Sequence, residues 1–289
     1  MIYTDLSGRL PFVYVEMGKL RVSGASLVFV SESSVIAIPV GRIAAVFLGP
    51  GISVTDRAVH LAATAGSMLL WVGEGITKCY AVLPTHHQSS KNLLSQIELL
   101  TKHKTKILKR YTLLRFGKKL LAWERLNENK IRGIEGSFMR KVYVECAKKF
   151  GIPYGGRSKE GSWENNSVYN KAISICNSYL YGMATAVLIA LGYSPALGIL
   201  HNGDSFSLSF DIADLYKHKF SIPLAFEASK KVLGSDNIRI EKEIRIMALE
   251  KMKGTNFVKA MVEDIQEIFD DGIHHEKNIN EDEATSVSL

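Results

Sequence analysis

The run from Ser178 to Leu191, SYLYGMATAVLIAL, carries no charged side chain. A helix apolar on nearly all faces has to be enclosed by the rest of its chain, so this stretch belongs at the centre of a core. Gly192 ends it, and a Gly-Tyr-Ser-Pro turn sends the chain back. Beyond that turn the sequence delivers His201, Asp204, Asp211 and Asp214 within fourteen positions. One imidazole and several carboxylates on a rigid apolar support suit a metal site. The same residue types suit a Gly-Asp turn followed by a solvated helix face or an N-cap, and spacing alone leaves both readings open. The neighbours of Asp211 and Asp214 are Phe210, Ile212, Ala213 and Leu215. That segment should be partly buried, and buried carboxylates normally need a cation or a partner.

The chain is long enough, at 289 residues, for one large or two ordinary domains. Hydrophobic residues make up 46% and charged ones 22%, which fits a soluble globular protein. A net charge of +7 favours a polyanionic partner. Cys79, Cys146 and Cys176 are far apart and form no CxxC pair, so reduced, buried thiols in a cytoplasmic protein are expected. The start, MIYTDLSGRL, lacks the basic stretch and apolar run of a signal peptide, and Leu180–Leu191 is too short to span a bilayer. Walker, Rossmann and zinc-finger patterns are missing from the sequence, which argues against ATP, NAD and structural zinc.

The expected fold class is α+β: a β-sandwich-like N-terminal strand domain over residues 1–83, then an all-α helical catalytic domain over 93–275. Short β-branched and aromatic runs punctuated by turn residues carry the first part, with Asp56 expected to cap its one helix. The linker is placed at 84–92 and a disordered acidic tail at 276–289. From Leu93 the apolar repeat becomes helical and continues to Leu114 without a break signal. Its second half bears Lys102, Lys104, Lys106, Lys109, Arg110, Arg115, Lys118 and Lys119, with no acid between Glu98 and Glu124. Such a stripe is either a solvated basic face or a track for a phosphate backbone. Further helices are expected around 121–150, 166–191, 209–217, 223–232 and 238–272. Between the first two lies a glycine-rich loop with Arg157, Lys159 and Trp163, either a ligand clamp or an ordinary exposed loop. Glu135 sits between Gly133 and Gly136, costly residues in a helix that make sense if another backbone approaches closely.

These residues carry a resemblance. RGIEGSFMR, SYLYGMATAVLIALGYSPALGILH and SLSFDIADLYK, in that order, resemble the CRISPR-associated integrase-endonucleases, the first of the two universal Cas proteins. IPVGRIAAVFLGPG and AVHLAATAGSMLLWVGEG add to the likeness, which runs from about Leu10 to about Ile268 and is nearest the type I-E branch. The resemblance implies a homodimer, two such dimers bridged by a dimer of the second universal Cas protein (four copies to two). It also implies insertion of short foreign DNA fragments into a CRISPR array.

Matched to the family's motifs, Glu135, His201 and Asp214 are the implied metal ligands, with Asp211 adjacent, and together the four form the implied catalytic set. One imidazole with carboxylates and no thiolate suits Mg²⁺ or Mn²⁺. The expected DNA contacts are Lys104, Lys109, Arg110, Arg115, Arg157, Trp163, Tyr181 and Lys217. His60 and Lys78 join them, at positions where the type I-E branch carries arginines. The favoured reaction is transesterification by a DNA 3′-hydroxyl. The alternatives are a plain metal-dependent nuclease and a non-catalytic DNA-binding scaffold.

Overall fold

A computed structural model describes residues 10–73, 79–83, 90–117, 127–156, 167–234, 239–253 and 256–270. Eight strands and one helix come first: β1 (Leu10–Val15), β2 (Gly18–Ser23), β3 (Ser26–Val30), β4 (Val35–Ile38), β5 (Ile43–Leu48), β6 (Ile52–Val54), α1 (Asp56–Ala65), β7 (Met68–Val72) and β8 (Cys79–Leu83). They form two four-stranded sheets, ordered β1-β5-β7-β8 and β4-β3-β2-β6. The first is parallel across β1, β5 and β7, with β8 antiparallel at its edge.

Every residue of β5, IAAVFL, is buried. Ile43, Val46 and Leu48 pack with Leu20, Leu27, Phe29 and Ile38 of the second sheet and with Ala58 and Ala62 of α1. Ala45 and Phe47 point the other way, into the helical core. A strand covered on both faces needs a continuous apolar run, and β5 has one. Helix α1 is capped by Thr55, whose hydroxyl accepts from Ala58 N at 3.3 Å, and not by Asp56, which is already helical.

The helical part comprises α2 (Lys91–Lys102), α3 (Lys104–Phe116), α4 (Glu128–Phe150), α5 (Val168–Ala190) and α6 (Ser207–Tyr216). A π-helical turn at Lys217–Ser221 follows, then α7 (Ile222–Leu233), α8 (Ile240–Lys253) and α9 (Phe257–Phe269). Helix α2 starts at Lys91, inside the stretch expected to be linker. The long basic helix is two helices, broken at His103, and the expected 238–272 helix is likewise split before α9 by Asn256 in a left-handed conformation, φ 47°. The expected tail, 276–289, falls outside the described residues.

Helix α5 is the organising element. It is 23 residues long, so the apolar stretch is the second half of a longer helix. Its length and hydropathy would suffice to cross a membrane, but 78% of its most apolar window is buried by the rest of the protein. Leu180, Met183, Ala184, Val187 and Leu188 share one core with residues from α3, α4, α6, α7, α8 and α9. Toward the β region Tyr179 meets Phe12 and Phe47 at ring-centroid distances of 5.1 and 6.0 Å. Gly182 lets that contact close: a Cβ there would lie 2.5 Å from the Phe47 ring.

Candidate active site

Helix α5 ends in a left-handed Gly192, φ 82°, and the chain turns through Ser194–Leu197 toward His201. That turn is held from below by α2. Gln96, fully buried, donates to the carbonyls of Ser194 and Leu197, both at 3.0 Å, and accepts from Ser194 N at 2.8 Å. Helix α6 then brings up two acids, three residues apart and therefore on one side of the helix.

Asp211 is fully buried and faces the turn. Its Oδ2 accepts from Ile199 N at 2.6 Å and Leu200 N at 3.1 Å, and its Oδ1 accepts from His201 N at 3.2 Å. Oδ1 also lies 2.8 Å from His201 Nδ1. A carboxylate holding successive backbone amides fixes the turn and faces the Nδ1 proton, which leaves the lone pair of a neutral His201 ring on Nε2. The close packing needs Gly198, where a Cβ would lie 2.1 Å from the His201 carbonyl oxygen. The hydrogen bond to Asp211 raises the His201 pKa against the opposing effect of burial. Both Asp211 oxygens are engaged by the turn and by His201.

Asp214, one turn further along the same side of α6, meets α3 instead. Its Oδ2 accepts from Arg115 Nη1 at 3.3 Å. Its Oδ1 makes a close ion pair with the Lys217 ammonium. Arg115 spans the site: Nη1 also donates to Tyr111 Oη at 2.8 Å, and Nη2 donates to Glu135 Oε1 at 2.8 Å. Burial pushes the Asp214 carboxyl up, but Lys217 and Arg115 outweigh it and hold the carboxyl below its ordinary range. Burial raises the Glu135 pKa, with Arg115 opposing and Asp214 reinforcing. Three elements spread widely along the sequence thus converge: α4 with Glu135, the turn with His201, and α6 with Asp214. Arg132, three residues before Glu135, donates to the Leu200 carbonyl and ties α4 to the turn.

In kind, the donor set fits a hard divalent cation: an imidazole nitrogen, a partly buried carboxylate and a buried carboxylate whose Oδ1 is balanced by a cation, the Lys217 ammonium. In this arrangement, among the described residues, no three His, Cys, Asp or Glu side chains stand close enough to share one ion. Arg115 and Lys217 occupy the positions beside Asp214 instead.

The family model described as "CRISPR associated protein Cas1" matches residues 115–263, a span that opens on Arg115 and contains Glu135, His201, Asp211 and Asp214. The chain is 32% identical over 267 residues to the CRISPR-associated endonuclease Cas1 of Escherichia coli, covering 91% of this chain and 86% of that one. The chain belongs to the Cas1 family. Thermus thermophilus has another Cas1 relative, 31% identical over 90% of this chain and 79% of its own. Among solved structures, a TtCas1–DNA complex superposes with a TM-score of 0.78 at 29% identity, over 90% of this chain and 91% of that chain. A casposase bound to integration product shares the fold, with a TM-score of 0.62 at 12% identity over 89% of this chain and 90% of that one. The mixed α+β layout, strands first and helices after, is that of these Cas1 structures.

The Cas1 resemblance in the sequence places ten side chains on DNA, and the structure distributes them unevenly. Arg115, expected on DNA, has a side chain only 1% exposed, with Nη1 and Nη2 bonded inside the site, because it shares the buried face of α3 with Tyr111 and Ile107, four and eight positions away. Arg110 is half-buried and donates to the carbonyls of Ile268 and Asp270, so it closes the end of α9. Lys104 pairs with Glu128 at 2.5 Å. Lys109 is exposed on α3 and His60 is exposed on α1. Tyr181 is half-buried, edge-on to Phe210 at 4.8 Å, with the Lys217 ammonium 4.9 Å from its ring centroid. Arg157, Trp163 and Lys78 lie outside the described residues. At Gly133 and Gly136 an added Cβ would meet nothing within 4 Å, so the close approach expected there is not made by the described residues.

Proposed function

We propose that this chain is a metal-dependent DNA integrase of the type I-E Cas1 branch, inserting short DNA fragments into a CRISPR array. The observation that carries the reading is that Arg115 joins Glu135 of α4 to Asp214 of α6, beside the turn in which Asp211 holds His201. Mg²⁺ or Mn²⁺, when bound by these three side chains, would acidify an attacking hydroxyl and offset charge on the scissile phosphate. The chain's own groups do the positioning. Asp211 orients His201, and Arg115 keeps two carboxylates close together. Lys217 and Tyr181, adjacent at the site, are the groups assigned to a DNA phosphate. The fragment's 3′-oxygen forms a new bond to phosphorus while the target strand's P–O bond breaks and its 3′-oxygen leaves. The nucleophile belongs to DNA, so the chain needs no Ser or Cys nucleophile.

The DNA and partner readings draw support from relatives. TtCas1 is solved with DNA, and Cas1 chains are solved in a Cas6-RT-Cas1–Cas2 complex, although at 14% identity that likeness reaches only the fold. Edge strand β4 exposes Val35 and Ile36, a surface suited to pairing with a second copy. A cytoplasmic, homodimeric protein bridged by a Cas2 dimer is the assembly this reading requires.

Strand transfer of a fragment into a repeat-containing plasmid, with and without Cas2 and Mg²⁺, tests it. Glu135→Ala, His201→Ala and Asp214→Ala should each abolish transfer while DNA binding persists. Near wild-type transfer by Asp214→Ala in Mg²⁺ would refute the assignment. The relatives' printed name, endonuclease, favours plain hydrolysis as the second reading, and cleavage without joined product would select it.

A further inference from the structure

Two side-chain cations touch Asp214, and they are built differently. Arg115 is locked: its guanidinium is buried, hydrogen-bonded to Tyr111, Asp214 and Glu135, and lies 5.9 and 5.5 Å from the Tyr111 and Phe116 ring centroids. Lys217 is held as tightly, but by fewer and more mobile means. Its ammonium makes a close ion pair with Asp214 Oδ1 at the end of a flexible four-carbon stem that is 14% exposed, and it is the first residue of the π-helical turn. Turns of that kind are frequent at functional sites. The ammonium also lies 4.9 Å from the Tyr181 ring centroid, a contact it can keep while leaving Asp214.

We propose that Lys217 is a resident stand-in for the divalent cation: its ammonium holds Asp214 Oδ1 in the unloaded protein and is expelled toward the DNA side when the metal binds. The inference rests on the metal-dependent reading above. Asp214 Oδ1 is the buried carboxylate oxygen a metal would need, and it is the oxygen Lys217 covers. A divalent ion arriving beside both Arg115 and Lys217 would crowd three positive centres around one carboxylate, and like charges at that range repel. Exchange avoids the conflict. Asp214 stays neutralised throughout, which keeps a buried carboxylate tolerable before metal is present. The expelled ammonium becomes available to a phosphate, so metal and DNA should each strengthen the other's binding by the same factor.

The test uses the full-length protein without DNA. An amine-acylating probe, read by mass spectrometry, should label Lys217 at least about fivefold faster in saturating Mg²⁺, with exposed Lys109 unchanged. Asp214→Asn should abolish that increase. In calorimetry Lys217→Met should bind Mn²⁺ about tenfold more tightly than wild type, and Lys217→Arg should not. Asp214-dependent Mn²⁺ binding with unchanged Lys217 labelling, or with equal or weaker binding by Lys217→Met, overturns the exchange and leaves the metal reading standing. Absence of any Asp214-dependent binding overturns both.

Discussion

Asp211 and His201 set opposing requirements on pH. Pairing with Asp211 raises the His201 pKa. The stability contributed by that pair is therefore complete below the unfolded imidazole value and is lost as pH rises through the higher folded one. A metal needs the neutral ring, so acidification that tightens the turn should weaken metal binding, starting at higher pH than for an ordinary histidine. Following His201 by NMR, Asp211→Asn should move its titration midpoint downward; an unmoved midpoint would mean that Asp211 does not control the ring. The same variant should lose about 3 kcal/mol of stability, because an amide cannot replace a carboxylate that accepts from three backbone N–H groups. Gly198→Ala attacks the turn sterically, and its contact with the His201 carbonyl predicts about 1–3 kcal/mol of strain, measurable by denaturant unfolding.

At the scale of elements, α3 has two jobs on two faces. Ile107, Leu108, Tyr111, Thr112 and Arg115 are buried, while Lys106 and Lys109 are exposed. Lys106→Ala with Lys109→Ala should weaken DNA binding across all sequences and flatten the logarithmic salt slope by up to about 0.9 per lost phosphate contact. Arg110→Ala should instead lower the melting temperature with the slope unchanged, since Arg110 serves the end of α9. The basic stripe was legible as charge but not as two populations. The sign for Arg115 was its spacing of four from Tyr111 and eight from Ile107, outweighed by the run of like charge around it. The break at His103 has no Gly or Pro to announce it, and Gly254 sits inside the single helix expected over 238–272, a break signal which that expectation passes over. Gln96 and Arg132 were invisible as parts of the site because their partners are backbone carbonyls far along the chain.

Across the whole molecule, what could be read was the order of strands before helices and the enclosed character of α5. The convergence of Glu135 with Asp214, 79 positions later, depends on packing that periodicity does not encode. Gly182→Ala tests how α5 unites the two regions: the methyl would press on Phe47, so a single cooperative transition should shift down by several degrees. If α5 did not bridge them, the shift would be confined to one of two separate transitions. The aromatic trio of Phe12, Phe47 and Tyr179 also makes the two regions poor candidates for separation. Each such ring buries roughly 150–250 Å². A protein nicked between β8 and α2 should therefore remain one particle in gel filtration. Its two pieces, expressed apart, should be sticky alone and recover solubility when mixed, as complementing halves of a single core.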